Sequence, residues 1–245
     1  MLEAGLWGLG AAAGLIVGAI AATSFDLPRQ LVALVMGFGS GALMSAVAFD
    51  LATEAHERGG TAIFAIGVAI GAVVYFAGNR LLARLGSSGK EPPSQGTIGP
   101  TSGPAIVLGT VLDGVPESII LGASLLGGGG IGISFLVAVF LSNVPEAVSG
   151  SRDLRDEGPG RKRIILLWLI VALSMGVVAA ATNALMGGMT DEPLGVVQAF
   201  AAGAILVLLA DTMMPEAFEF GGDLVGLATT LGFASAFLLA VVTPG

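Results

Sequence analysis

Uncharged, mostly apolar runs divide the chain. Residues 4–25, 30–49, 59–79, 118–145, 164–190, 193–210 and 224–245 contain no Asp, Glu, Lys or Arg. Each is long enough to cross about 30 Å of hydrocarbon as a helix. Ala105–Leu126 is also largely apolar, although it contains Asp113 and Glu117, and the following run, Ile131–Gly150, contains Glu146. These runs are too uniform for the alternating pattern of a membrane barrel. The backbone inside lipid must satisfy its own hydrogen bonds, so helices are predicted. The expected fold is an all-α polytopic membrane protein with eight spans near 3–23, 30–53, 61–82, 105–126, 131–150, 163–183, 193–216 and 224–242. The first is not expected to be a cleaved signal peptide, because Glu3 is the only charge before it and a basic leader is missing.

Composition agrees. Hydrophobic residues make up 54% of 245 positions and charged residues 11%, too few to coat a soluble domain of this size. The formal net charge of -8 and the lack of a basic stripe argue against nucleic-acid partners. With no cysteine, thiolate metal sites and disulfides are excluded. Of ten Lys and Arg residues, nine fall in or beside the odd-numbered loops and only Arg58 lies on the opposite side. This asymmetry predicts cytoplasmic odd loops and both termini outside. The stretch 83–104, rich in Gly, Ser and Pro, is read as a flexible cytoplasmic linker.

Two repeats are visible. Phe38–Glu57 aligns without gaps on Phe200–Glu219, sharing Phe38/Phe200, Gly41/Gly203, Ala42/Ala204, Ala48/Ala210, Glu54/Glu216, Ala55/Ala217 and Glu57/Glu219. The stretches sit on spans two and seven, which cross in opposite directions. Two inverted three-helix repeats, 1–82 and 163–245, are therefore expected around a central helix pair, 105–150. The central pair repeats too: Leu112–Ser118 reads LDGVPES and Leu141–Ala147 reads LSNVPEA. Small residues, such as Gly37, Gly39 and Gly41 on span two and Gly67 and Gly71 on span three, favour close helix approach. Gly127–Gly130 reads as a tight turn and lacks the Lys-Ser/Thr of a phosphate loop.

The candidate chemistry lies in the central pair. Asp113 and Glu117 are four residues apart and share a helix face, and Ser142 and Glu146 repeat that spacing. Carboxylates in hydrocarbon are costly, and no Lys or Arg lies inside any of the eight apolar cores to neutralise them. A bound divalent cation or protons would do so. Pro116 and Pro145 remove amide donors, which frees the carbonyls of Leu112 and Leu141 for a cation or its water. Asn143 offers an amide oxygen. Asp50 and Glu54 near the outer end, and Asp211 and Glu216 on span seven, are candidate entrance and exit steps. His56, the only histidine, is read as a solvated helix-end residue, and Met44 as packing.

These features resemble the ZIP (Zrt/Irt-like) divalent-metal transporter family over essentially the full length. The resemblance rests on the twin Pro-Glu spans, the Pro-Glu-Ala at the end of span seven and the linker after span three. The chain looks like a divergent bacterial-type member, because the family's span-four His-Asn-x-Pro-Glu is replaced here by Asp113 and Gly114 ahead of Pro116-Glu117. Asp50 stands where a span-two histidine is usual, and the histidine-rich loop is absent. The resemblance implies a primary site of Asp113, Glu117, Ser142 and Glu146. It implies an adjoining site of Asn143 with the shared Glu117 and Glu146, lacking a ligand at Gly114 and degraded or water-filled. It further implies a multi-pass protein of the bacterial cytoplasmic membrane that takes up Zn, Mn, Fe or Cd by elevator-like motion, with no resident cofactor and with a homodimer compatible. An all-oxygen donor set suits harder ions. Transport of another solute or of protons on the same fold is the alternative. Enzyme chemistry is not expected, because one histidine cannot build a His-Glu-x-x-His zinc site and Asp50 and Asp211 lack the Gly-x-Gly-Asp setting of an aspartyl mechanism.

The orientation is testable in this cysteine-free background. A cysteine replacing Ser88 should resist an impermeant thiol reagent in intact cells, whereas one replacing Gly188 should react. The reverse pattern would invert the topology.

Overall fold

A computed structural model describes residues 1–86, 103–126 and 132–243. Most of the predicted linker 83–104 and the turn Gly127–Gly130 lie outside the described residues. The described chain is helical and contains no strand: α1 (Leu2–Ser24), α2 (Arg29–Ala46), α3 (Ala52–Gly86), α4 (Gly103–Ala123), α5 (Ile133–Asp156), α6 (Arg161–Met186), α7 (Asp191–Leu208), α8 (Met214–Gly221) and α9 (Leu224–Val242). Single π-helical turns, Val47–Leu51 and Leu209–Met213, join α2 to α3 and α7 to α8. The second precedes Pro215, whose ring and missing N–H oppose regular i→i−4 bonding across that turn.

Among the described residues, seven helical runs are long and apolar enough to cross a membrane. One of them, Arg29–Arg84, is 56 residues long. A straight helix of that length would measure about 84 Å, almost three hydrocarbon thicknesses. It is broken at Gly60, whose φ of 72° and ψ of 173° lie outside the helical region. The break falls between the runs expected as spans two and three. α5 continues to Asp156, so Arg152, Asp153 and Arg155 extend a helix rather than begin a loop at 151.

The repeat seen at 38–57 and 200–219 has a structural counterpart at the same offset of 162 residues. The two π turns occupy equivalent positions, 47–51 and 209–213. Gly60 is matched by Gly222, which has φ 61° and separates α8 from α9. Both glycines end a Gly-Gly pair, 59–60 and 221–222, that extends the sequence alignment beyond its last expected match.

Helix packing divides along similar lines. α2 packs chiefly on α9 and α3 on α7, while α1 packs on α5 and α6 and α4 packs on α6. α2 also crosses α5, and α4 touches α7, which joins the two groups. The crossings of the first group are backbone-close. A Cβ on Gly41 would lie 1.9 Å from the Thr229 carbonyl oxygen, and one on Gly203 would lie 2.1 Å from that of Val68. Gly71 and Gly232 would each meet a carbonyl oxygen at 1.9 Å, those of Phe200 and Phe38. Helices in lipid associate by van der Waals contact rather than by expelling water, so these approaches contribute directly to cohesion. The second group is centred on the fully buried Trp168, whose Nε1 donates to Ser151 Oγ at 2.8 Å.

Gly71→Ala should therefore force α3 away from α7 and cost about 2 kcal/mol or more. Gly226 on α9 has no neighbour within 4 Å of a built Cβ. Gly226→Ala is expected to be neutral or slightly stabilising. Thermal unfolding in detergent checks both, and equal midpoints would contradict the close α3–α7 approach.

Candidate functional site

α4 and α5 both run through their prolines without leaving the helical path, Pro116 inside Gly103–Ala123 and Pro145 inside Ile133–Asp156. Neither proline breaks its span, so the acids that follow keep their helix-face positions. Glu117 is buried, 4% exposed. Asp113 accepts a hydrogen bond from the Tyr75 hydroxyl on α3. Thr212, within the second π turn, lies beside that hydroxyl. Glu146 has the Thr110 hydroxyl next to it, while its Oε1 is inaccessible and has no hydrogen-bond partner. Asp113, Glu117 and Glu146 form one electrostatic neighbourhood, each close enough for its charge to act on another.

They do not close into a ligand set. Among the described residues, no three His, Asp or Glu side chains converge closely enough to hold one metal ion. Ser142 is buried against α2, where Gly39 approaches its backbone, and its hydroxyl donates to the Val139 carbonyl at 2.9 Å. Asn143 Nδ2 donates to the Ala11 carbonyl at 3.2 Å, which ties this side chain to α1. Gly114, where the resemblance implies a missing ligand, faces α6. Met175 of α6 covers it so closely that a Cβ on Gly114 would lie 2.0 Å from Met175 Cε.

The outlying acids separate into two kinds. Asp50, in the first π turn, accepts from Ser134 at the start of α5 at 2.6 Å. Glu216, on α8, accepts from Ser149 further along α5. Ser134, Ser142, Glu146 and Ser149 fall within about 120° of one another around α5, at 100° per residue. The two serines that hold Asp50 and Glu216 are about 22 Å apart along the helix, with Ser142 and Glu146 between them. Asp50 and Glu216 thus flank the central carboxylates from opposite ends of α5. Glu54 instead pairs with Arg58 at 2.7 Å, and Arg58 continues to Asp191 at 3.0 Å. Asp211 is exposed on the outside of the second π turn. The π turn directs its neighbour Thr212 inward, at the repeat position that Asp50 occupies in the first turn. His56 is exposed, edge-on to Phe64, and Met44 packs against the core.

Sequence reasoning did not find Tyr75, Thr110, Ser134, Ser149 or Thr212. Ser149 was accessible to it, because it follows Glu146 by three residues on one face. Tyr75 had no signal beyond being the only tyrosine in the chain.

No protein-family model matches the chain. Among curated proteins it resembles Zinc transporter SLC39A7 of Mus musculus, 28% identical over 134 residues, which cover 51% of this chain and 28% of that protein. The Homo sapiens SLC39A7 matches to the same extent. A protein of Arabidopsis thaliana named "Putative zinc transporter At3g08650" is 26% identical over 242 residues, 97% of this chain and 38% of its own length. The chain thus spans between 28% and 38% of the length of these relatives. All three are named as transporters rather than enzymes, and with the apolar helices they identify the chain as a multi-pass membrane protein.

Proposed function

We propose that the protein is a ZIP-like transporter that moves a divalent metal cation, zinc or a related transition metal, across a bacterial cytoplasmic membrane in the uptake direction. The observation that carries this reading is the set of carboxylates Asp113, Glu117 and Glu146, gathered on two adjacent spans with no Lys or Arg inside the apolar cores. Asp113 stands ten residues into α4 and Glu146 thirteen into α5, about 15 and 20 Å along helices that cross about 30 Å of hydrocarbon. Acids at that depth need a cation, protons or water.

On this reading the break at Gly60 is the outer turn between spans two and three, and the protein has eight spans. The matched π turns and the Gly60/Gly222 pair support inverted repeats 1–82 and 163–245 around the central pair 105–150, with 83–104 linking them on the cytoplasmic side and both termini outside. The set α1, α4, α5 and α6, flanked by the close pairs α2/α9 and α3/α7, would suit elevator-like alternating access, one bundle carrying the site past the others. Asp113, Glu117, Glu146 and Ser142 would gather around the ion as it enters, with Asn143 adjoining. Asp50 would serve the outer approach and Glu216 the cytoplasmic exit. Transport of another solute or of protons remains the second reading, favoured by the open arrangement of the three acids.

In proteoliposomes, Glu117→Gln with Glu146→Gln should reduce zinc binding and uptake by tenfold or more. Retention of binding would remove these residues from the site. Asp113→His should move preference toward Zn2+ and Cd2+ and away from Mn2+. No uptake of any divalent cation by the unaltered protein would favour the second reading.

The two acids of span seven are expected to differ. Glu216→Gln should slow zinc uptake severalfold, whereas Asp211→Asn should leave it within about twofold, because Asp211 is exposed outside the bundle. Equal losses would contradict the proposed exit.

A further inference from the structure

Resting on the transport reading above, we propose that Tyr75 is a latch that ties Asp113 of α4 to α3 and is released when a divalent cation takes the carboxylate.

Tyr75 lies on α3, which packs chiefly on α7, while Asp113 lies on α4, which packs on α6 and also borders α7 and α3. The Tyr75 side chain is 3% exposed, and its hydroxyl donates to Asp113 Oδ1. The ring belongs to a buried cluster that includes Leu43 of α2, Ile205 of α7, Leu121 of α4 and Phe135 of α5. Thr212 stands beside it, brought there by the second π turn.

The remaining central acids are held differently. Glu117 lies on the same helix as Asp113, and Glu146 has the Thr110 hydroxyl of α4 beside it. Asp113 is therefore the central carboxylate tied by a phenol to α3. Where a cation takes Oδ1, the oxygen that accepts from the phenol, both draw on the lone pairs of one atom and the two interactions compete. Loading then weakens a tie between α3 and α4, which couples cation binding to freedom of movement.

With the cation on Oδ1, two contributions to the effect of removing the hydroxyl agree in sign. Tyr75→Phe removes the competitor for Asp113, and it leaves a buried carboxylate without its donor in the cation-free protein. Both favour the cation-bound form. A latch is a positioning residue, and a ligating phenol would give the opposite sign in the binding test below.

The experiment exploits Tyr75 as the only tyrosine in the chain. The full protein labelled with 3-fluorotyrosine should give one 19F resonance, which shifts on addition of Zn2+ or Cd2+. Asp113→Ala should shift it without cation and abolish the further response. By calorimetry, Tyr75→Phe should bind Zn2+ about tenfold more tightly, the order of a hydrogen bond to a charged group. The same change in an Asp113→Ala background should have no effect. Weaker or unchanged binding by Tyr75→Phe would overturn the latch, as would Zn2+ binding that leaves the resonance unmoved. If no divalent cation binds the unaltered protein while Asp113→Ala still shifts the resonance, the transport reading fails, and the hydrogen bond survives only as a structural contact. The resonance arms use the native tyrosine, so they remain decisive even if the Phe variant does not fold.

Discussion

The apolar cores of this protein hold acids and no bases, and most of the polar architecture follows from that imbalance. In water a carboxylate is solvated at no cost to the fold. Inside a helix bundle it must be met by a hydroxyl, an amide, a cation or a proton. The side chains that approach Asp50, Asp113, Glu146 and Glu216 are hydroxyls: Ser134, Tyr75, Thr110 and Ser149. A hydroxyl is a weak partner for a charge, and it can let go. A buried Arg would neutralise the same acid, but it would also repel an arriving cation and bind too firmly to be displaced. Hydroxyl partners keep the acids available, and the negative charge left uncompensated is what would attract a metal ion.

The same logic explains where the outer charges go. Arg58 binds Glu54, Asp191 and the Leu126 carbonyl, which fastens the start of α3 to the end of α4 and the start of α7. Glu54 was a reasonable candidate for an entrance step from its place in the repeat. With an arginine bound to it, the residue is better explained as a brace. Glu216, its counterpart in the second repeat, has a serine instead and remains free to act. Equivalent positions of the repeat thus have different partners, an arginine at Glu54 and a serine at Glu216.

Much of the architecture was legible in the sequence, because lipid permits so few solutions. Uncharged runs give the helices, and the all-helical fold follows from backbone hydrogen bonding. The paired Pro-Glu motifs pointed at α4 and α5. The internal repeat was legible only in part. Its glutamates were seen, but the Gly-Gly pairs that follow them, and which mark the left-handed turns at Gly60 and Gly222, were not. The π turns could not be read at all. A helix that gains one residue per turn leaves no mark on a uniformly apolar pattern, yet the gain decides which of Asp211 and Thr212 faces inward. That is why Asp211 looked like a pathway residue from its charge alone. Tyr75 was hidden for a related reason: contacts between distant helices depend on rotation and depth, which spacing along a single helix does not encode.

The open arrangement of Asp113, Glu117 and Glu146 is intelligible in the same terms. Three carboxylates drawn together around an empty centre would repel one another in a medium of low dielectric. Apart, each can be met by a neighbour or keep a lone pair in reserve, as Glu146 does with its unpartnered Oε1. The ion itself supplies the attraction that would pull them inward. A transporter gains from that arrangement, since a rigid closed cage would bind its cargo tightly and release it slowly. Close helix crossings occur at Gly41 and Gly232 between α2 and α9, at Gly71 and Gly203 between α3 and α7, and at Gly14 and Gly18 between α1 and α5. Gly39 and Ser142 also approach closely between α2 and α5, so the hydrogen bonds that hold Asp50, Asp113 and Glu216 sit beside close helix packing rather than apart from it, and a hydroxyl there can change partners without the helices having to separate.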